Sequence, residues 1–249
     1  MKKSLIVAAI LGLSSAAAQA QVTVSTVNGT PQNVATVNNF AVTGALMNGM
    51  DVTFTYANGN TGSTTLAWDS ISGTASGAVG SFGILVSFPS ASDTFNGTWR
   101  ITNNNVSSDG SIGLDKVLFQ GLPGNTVFDL TFGGGTGTPN SADGATFSLL
   151  GCGGGWDCTG SNQDNIRVTY SDIVSVGAAA AVGDLYANML VDFTNPNFLQ
   201  NGGFIDFRAD TDNVTIAAIP EPETYALMAL GLGLMGFVAR RRKQQVMSA

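Results

Sequence analysis

Two six-residue stretches, Asp51-Val-Thr-Phe-Thr-Tyr56 and Val127-Phe-Asp-Leu-Thr-Phe132, place an apolar side chain at every second position. Only an extended strand puts alternate residues on one face, so each reads as a strand with one side buried. Comparable runs recur at residues 21–25, 40–43, 64–68, 82–88, 98–102, 114–119, 145–149, 166–170, 186–193, 204–207 and 214–219. Asn58-Gly59, Asp109-Gly110, Pro123-Gly124 and Asp143-Gly144 punctuate them as turns. Gly, Ser, Thr and Asn make up 89 of the 199 residues from 21 to 219, which opposes helices and suits strands with tight turns. Disorder would suit that composition too, and the alternation decides against it. The expectation is an all-β body over residues 21–219, a β-sandwich of jelly-roll type. Neither a clean repeat nor a linker divides it, and Gly177 to Val182 reads as a short helix or a crossover loop.

The charge of that body excludes whole classes of function. It holds four basic groups, Arg100, Lys116, Arg167 and Arg208, against fifteen Asp, a net charge of −11. Such a surface repels phosphate backbones, so nucleic acid is not its partner. The chain has no His, which removes Ser-His-Asp, Cys-His and His-zinc chemistry.

Both ends read as addresses. Lys2 and Lys3 precede the apolar run Leu5 to Leu13, and small residues lead to Ala18-Gln19-Ala20, the layout of a signal peptide over residues 1–20 that hands the chain to the general secretion machinery. The run is far short of the ~20 residues that a membrane span requires. At the other end Ile219-Pro220-Glu221-Pro222 forms a stiff, extended joint, followed by the apolar segment Tyr225 to Ala239 and the cluster Arg240-Arg241-Arg242-Lys243. As a helix this segment reaches ~22 Å against a hydrocarbon core of ~30 Å, so it anchors only with help from its flanks. The basic cluster orients the anchor, holding residues 244–249 in the cytoplasm and the body outside. Gly231-Leu-Gly-Leu-Met-Gly236 matches a dinucleotide fingerprint, but the chain ends before a βαβ unit is possible, so the match belongs to a Gly-rich membrane helix.

Pro220-Glu221-Pro222, a short apolar segment and a terminal Arg cluster, in that order, resemble the PEP-CTERM sorting signal of Gram-negative bacteria that secrete exopolysaccharide. The resemblance covers residues 220–243, with Ile219 where Val is common and Gln244 to Ala249 trailing the cluster. It implies that exosortase, a membrane-embedded transpeptidase, cuts near the PEP motif and passes the body to the outside or to a surface attachment. The protein would then be exported, transiently anchored in the inner membrane, and finally located at the cell surface or in the matrix.

Within the body the remaining chemistry is thin. Cys152 and Cys158 are the only cysteines, and in an exported protein their default is a disulfide; two thiols at this spacing without His make neither a redox nor a zinc motif. A glycosidase would need two carboxylates facing one cleft, and most of these Asp sit beside turn residues, so no enzyme is expected. Asp206, Asp210, Asp212 and Asn213 lie close enough in sequence to offer oxygens to calcium, although the spacing is not an EF-hand and a solvated turn is the favoured reading. Trp156, in its Gly-rich loop, is the one of the three Trp expected to be partly exposed and so to offer a face to a sugar, whereas Trp68 and Trp99 read as core. Three readings follow: an exported non-catalytic surface or matrix protein without cofactor, a calcium-assisted module that binds exopolysaccharide, and a permanently tail-anchored envelope protein.

Overall fold

A computed structural model describes residues 22–68, 74–79, 82–88, 92–105, 112–130, 144–156, 158, 166–177, 179–193, 198–216 and 228–235. The signal peptide, the Pro-Glu-Pro joint, Arg240 to Lys243, the last six residues, Phe132 and the Asp109-Gly110 turn lie outside them. In chain order the strands are β1 (Thr23–Val27), β2 (Gln32–Asn39), β3 (Asp51–Tyr56), β4 (Thr61–Thr65), β5 (Thr74–Val79), β6 (Phe82–Ser87) and β7 (Trp99–Asn103). Then follow β8 (Leu114–Gln120), β9 (Thr126–Asp129), β10 (Ser148–Gly153), β11 (Ile166–Val176), β12 (Leu185–Phe193), β13 (Phe204–Arg208) and β14 (Asp210–Ile216). The all-β class is as expected from the sequence.

One five-stranded sheet runs β10-β13-β7-β6-β5. A larger sheet runs β4-β3-β8-β12-β11, with β1 parallel to β11 at its far edge. The two sheets share a core. Val52, Phe54 and Tyr56 of β3 and Val117 and Phe119 of β8 are buried with Ile101 and Phe207 from the other sheet. Trp99 sits in the middle, its ring about 6 Å from those of Trp68, Phe119 and Phe207, and its indole N–H donates to the Ala209 carbonyl at 2.8 Å. That bond lets a large amphipathic ring be fully buried without an orphaned donor.

The β11–β12 hairpin does not end with the sandwich. At its turn end β2 joins β11 in parallel, β9 joins β12 at Leu185 and Tyr186, and β14 closes the gap between β2 and β9. Five strands thus form a closed ring, β11-β2-β14-β9-β12, rather than the open paired sheets of a plain jelly roll. A second apolar cluster fills it: Val34, Val37, Val127, Val174, Val176, Leu185, Ala187 and Val214. β9 therefore has two buried faces, Val127 toward the ring and Phe128 toward the sandwich core.

Asp172 marks the transition between the two cores. Before it Ile166, Val168 and Tyr170 face the sandwich; after it Val174 and Val176 face the ring, and Ile173 packs on the sandwich side. Asp172 has φ 62°, the left-handed conformation, and this single residue flips the face sequence of the strand. Its carboxylate accepts the Thr30 N–H and the Asn188 Nδ2–H at 2.7 Å each, clasping the β1–β2 connection between Ser171, the last partner of β1, and Val174, the first partner of β2.

Several local expectations change. Residues 40–43 lead irregularly into a 3-10 turn, Gly44–Met47, and Pro123-Gly124 lies in a second one, Leu122–Gly124. Residues 177–184 close the β11–β12 hairpin, and the described part contains no helix. β2 and β5 lie where no strand was expected.

Candidate functional site

The C-terminal segment is a separate unit, residues 217–249. Residues 228–235 are helical, and Met228, Leu230, Leu232, Leu234 and Met235 are each about 60 % exposed. Apolar side chains around the whole circumference suit a lipid or protein environment rather than water. Among the described residues no helix is long and apolar enough to cross a membrane.

In the body, the acidic residues singled out by spacing are separated by the fold. Asp206 lies on β13 opposite Arg100 of β7 and forms a bidentate pair with its guanidinium, at 2.6 and 2.7 Å. That hydrogen bonding holds the Arg100 pKa above its ordinary value, and the guanidinium also covers the Phe204 ring at 3.9 Å. Asn213 gives its Nδ2 to the Leu46 carbonyl at 2.9 Å. Neither joins Asp210 and Asp212.

Those two meet Asp129, which the sequence pattern placed on an outward face. Asp129 ends β9 and Asp210 begins β14, directly opposite in register, and carboxylate oxygens of Asp129, Asp210 and Asp212 all lie within 4.8 Å of one another. All three residues are buried, at 1 to 3 % exposure. Two ionised members at this separation would repel by roughly 3 kcal/mol at an effective dielectric near 20. Burial pushes the Asp210 carboxyl up to about 6, with a further push from Asp93, against the hydrogen bonds from the Thr94 hydroxyl and the Thr211 amide. Burial also raises the nearby Tyr170 phenol, whose oxygen accepts the Phe147 N–H. The triad offers three of the six to eight oxygens that calcium takes. It is closed to a dissolved polymer, and the pairing of β9 with β14, invisible in the sequence, is what assembles it.

Cys152 and Cys158 form a disulfide. Trp156 within the loop is 6 % exposed and meets Phe193 edge to face at 5.9 Å. The expected exposure of this ring is corrected: Trp156 packs into the sandwich core, because burying an indole outweighs leaving it in water. It presents no stacking face.

No curated protein and no solved structure shows significant similarity to the chain. Residues 218–243, which include the Pro-Glu-Pro joint, the exposed apolar helix and the basic cluster, match the PEP-CTERM protein-sorting motif, so the C-terminal region carries that sorting signal.

Proposed function

We propose that the chain is an exported, non-catalytic β-domain protein that exosortase processes through its C-terminal motif for display at the cell surface or in the extracellular matrix. The match at residues 218–243 carries this reading, and it follows a body whose last strand among the described residues ends at Ile216. Secretion through the signal peptide delivers the body outward. The apolar segment, held by Arg240 to Lys243, parks it transiently in the inner membrane while the Pro220-Glu221-Pro222 joint is offered for cutting. A disulfide at Cys152–Cys158 suits an oxidising compartment.

The test replaces Pro220, Glu221 and Pro222 by Ala in a host that contains exosortase and follows intact mass and location. The expected result is retention of the full-length chain in the membrane. Unchanged size and release would overturn the reading, and a wild-type chain that keeps its tail would point to permanent anchoring.

A further inference from the structure

A groove of about 660 Å³ opens where β2 and β14 meet the 3-10 turn Gly44–Met47 and the Gly124-Asn125 corner. Every side chain that lines it is uncharged, although the surrounding body carries a net charge of −11. Five of the lining residues are Asn: Asn38, Asn39, Asn48, Asn125 and Asn213.

The amides of Asn38, Asn39, Asn48 and Asn213 are held by hydrogen bonds. Asn39 and Asn213 face each other in register, joined from Nδ2 to Oδ1 at 3.3 Å, and a bulge directly after Asn213 re-aims the strand. Asn38 donates Nδ2 to the Thr215 hydroxyl at 3.0 Å, which leaves its Oδ1 as an acceptor. Asn48 accepts the Trp68 N–H at 2.6 Å, which leaves its NH2 to donate. Asn125, exposed at φ 52°, brings both. Leu46 and Ile216, each over 40 % exposed, add apolar surface beside them.

We propose that this groove binds an uncharged, hydroxyl-rich chain, a segment of neutral polysaccharide. Fixed amides present donors and acceptors side by side, the complement of neighbouring hydroxyls. The apolar pair suits the C–H faces of a sugar, and the volume falls within the roughly 300 to 1,000 Å³ of small-ligand sites. An ionic ligand would find no counter-charge here. A peptide adding as a strand would find wall backbone already engaged, since β14 pairs with β2 and the Val214 N–H donates to the Asn125 carbonyl at 2.8 Å. The site uses neither calcium nor Trp156, and it does not depend on the sorting signal.

The test is calorimetric titration of the full chain, in a detergent without a sugar headgroup and with EDTA, using isomaltohexaose, cellohexaose and mannohexaose, with a galacturonic acid hexamer as the charged comparator. At least one neutral hexasaccharide should saturate with a Kd of about 1 mM or tighter, and the acidic one should bind at least about tenfold more weakly. Asn38→Ala and Thr215→Arg alter exposed positions, and each should weaken binding by about tenfold with unchanged thermal melting. Absence of binding by all three neutral probes, equal binding of the acidic probe, or folded variants that bind like the wild type would each overturn the proposal.

Discussion

Asp172 shows how much one backbone conformation can decide. Its left-handed φ turns β11 from one core to the other, and its carboxylate lies where a Cβ on Gly29, itself at φ 55°, would collide. Asp tolerates this conformation and a β-branched residue does not. Asp172→Val should therefore cost about 2 to 4 kcal/mol in urea denaturation, while Asp172→Asn, which tolerates the same φ and keeps an acceptor for Thr30, should cost less than half as much. Equal losses would contradict the role of the backbone. Asp210 carries a pH dependence. Its carboxyl titrates near 6 in the fold and near 3.8 when unexposed to it, so the folded state holds the proton longer. Its destabilising effect is absent below pH 3.8, grows as pH rises and is complete above about 6. Asp210→Asn, which keeps an acceptor for Thr94 and Thr211, should gain on the order of 2 kcal/mol over wild type at pH 8 and nothing at pH 3.5. Denaturation with EDTA present checks this; a difference that does not change with pH would refute it.

At the scale of elements, the strands that alternate in sequence are those with one face in the sandwich core. β3 and β8 were legible for this reason: one buried face imposes a period of two. β2 was not, because Val34 and Val37 are the residues that enter the ring, and the two register shifts against β14 break the alternation. β9 was legible as a strand but misleading about Asp129, since a strand covered on both sides buries its polar residues too. The ring has its own filling, and this makes it separable in principle from the sandwich. Leu185→Ala should cost about 2 to 5 kcal/mol and raise amide exchange in β2, β9 and β14 more than in β3 and β8. A uniform rise across both groups would mean that the two cores open as one.

For the whole molecule, a C-terminal sorting signal follows an all-β body. The address predicts that a chain with Arg240, Arg241, Arg242 and Lys243 all changed to Gln is no longer held in one orientation, so processing near Pro220 falls severalfold, as gel mobility in an exosortase host would show. Processing at the wild-type rate would remove the basic cluster from the account. The sequence by itself determined this address and the all-β character, because both are local or linear properties: charge order, length of an apolar run, and the two-residue period of a half-buried strand. Only the tertiary structure decided that Asp129 joins Asp210 and Asp212 while Asp206 pairs with Arg100, that Trp156 turns inward, and that five Asn meet in one uncharged groove. The physical reason is that strand pairing joins residues far apart in the chain. Which strands become neighbours, and where a ring closes, depends on the packing of two cores at once.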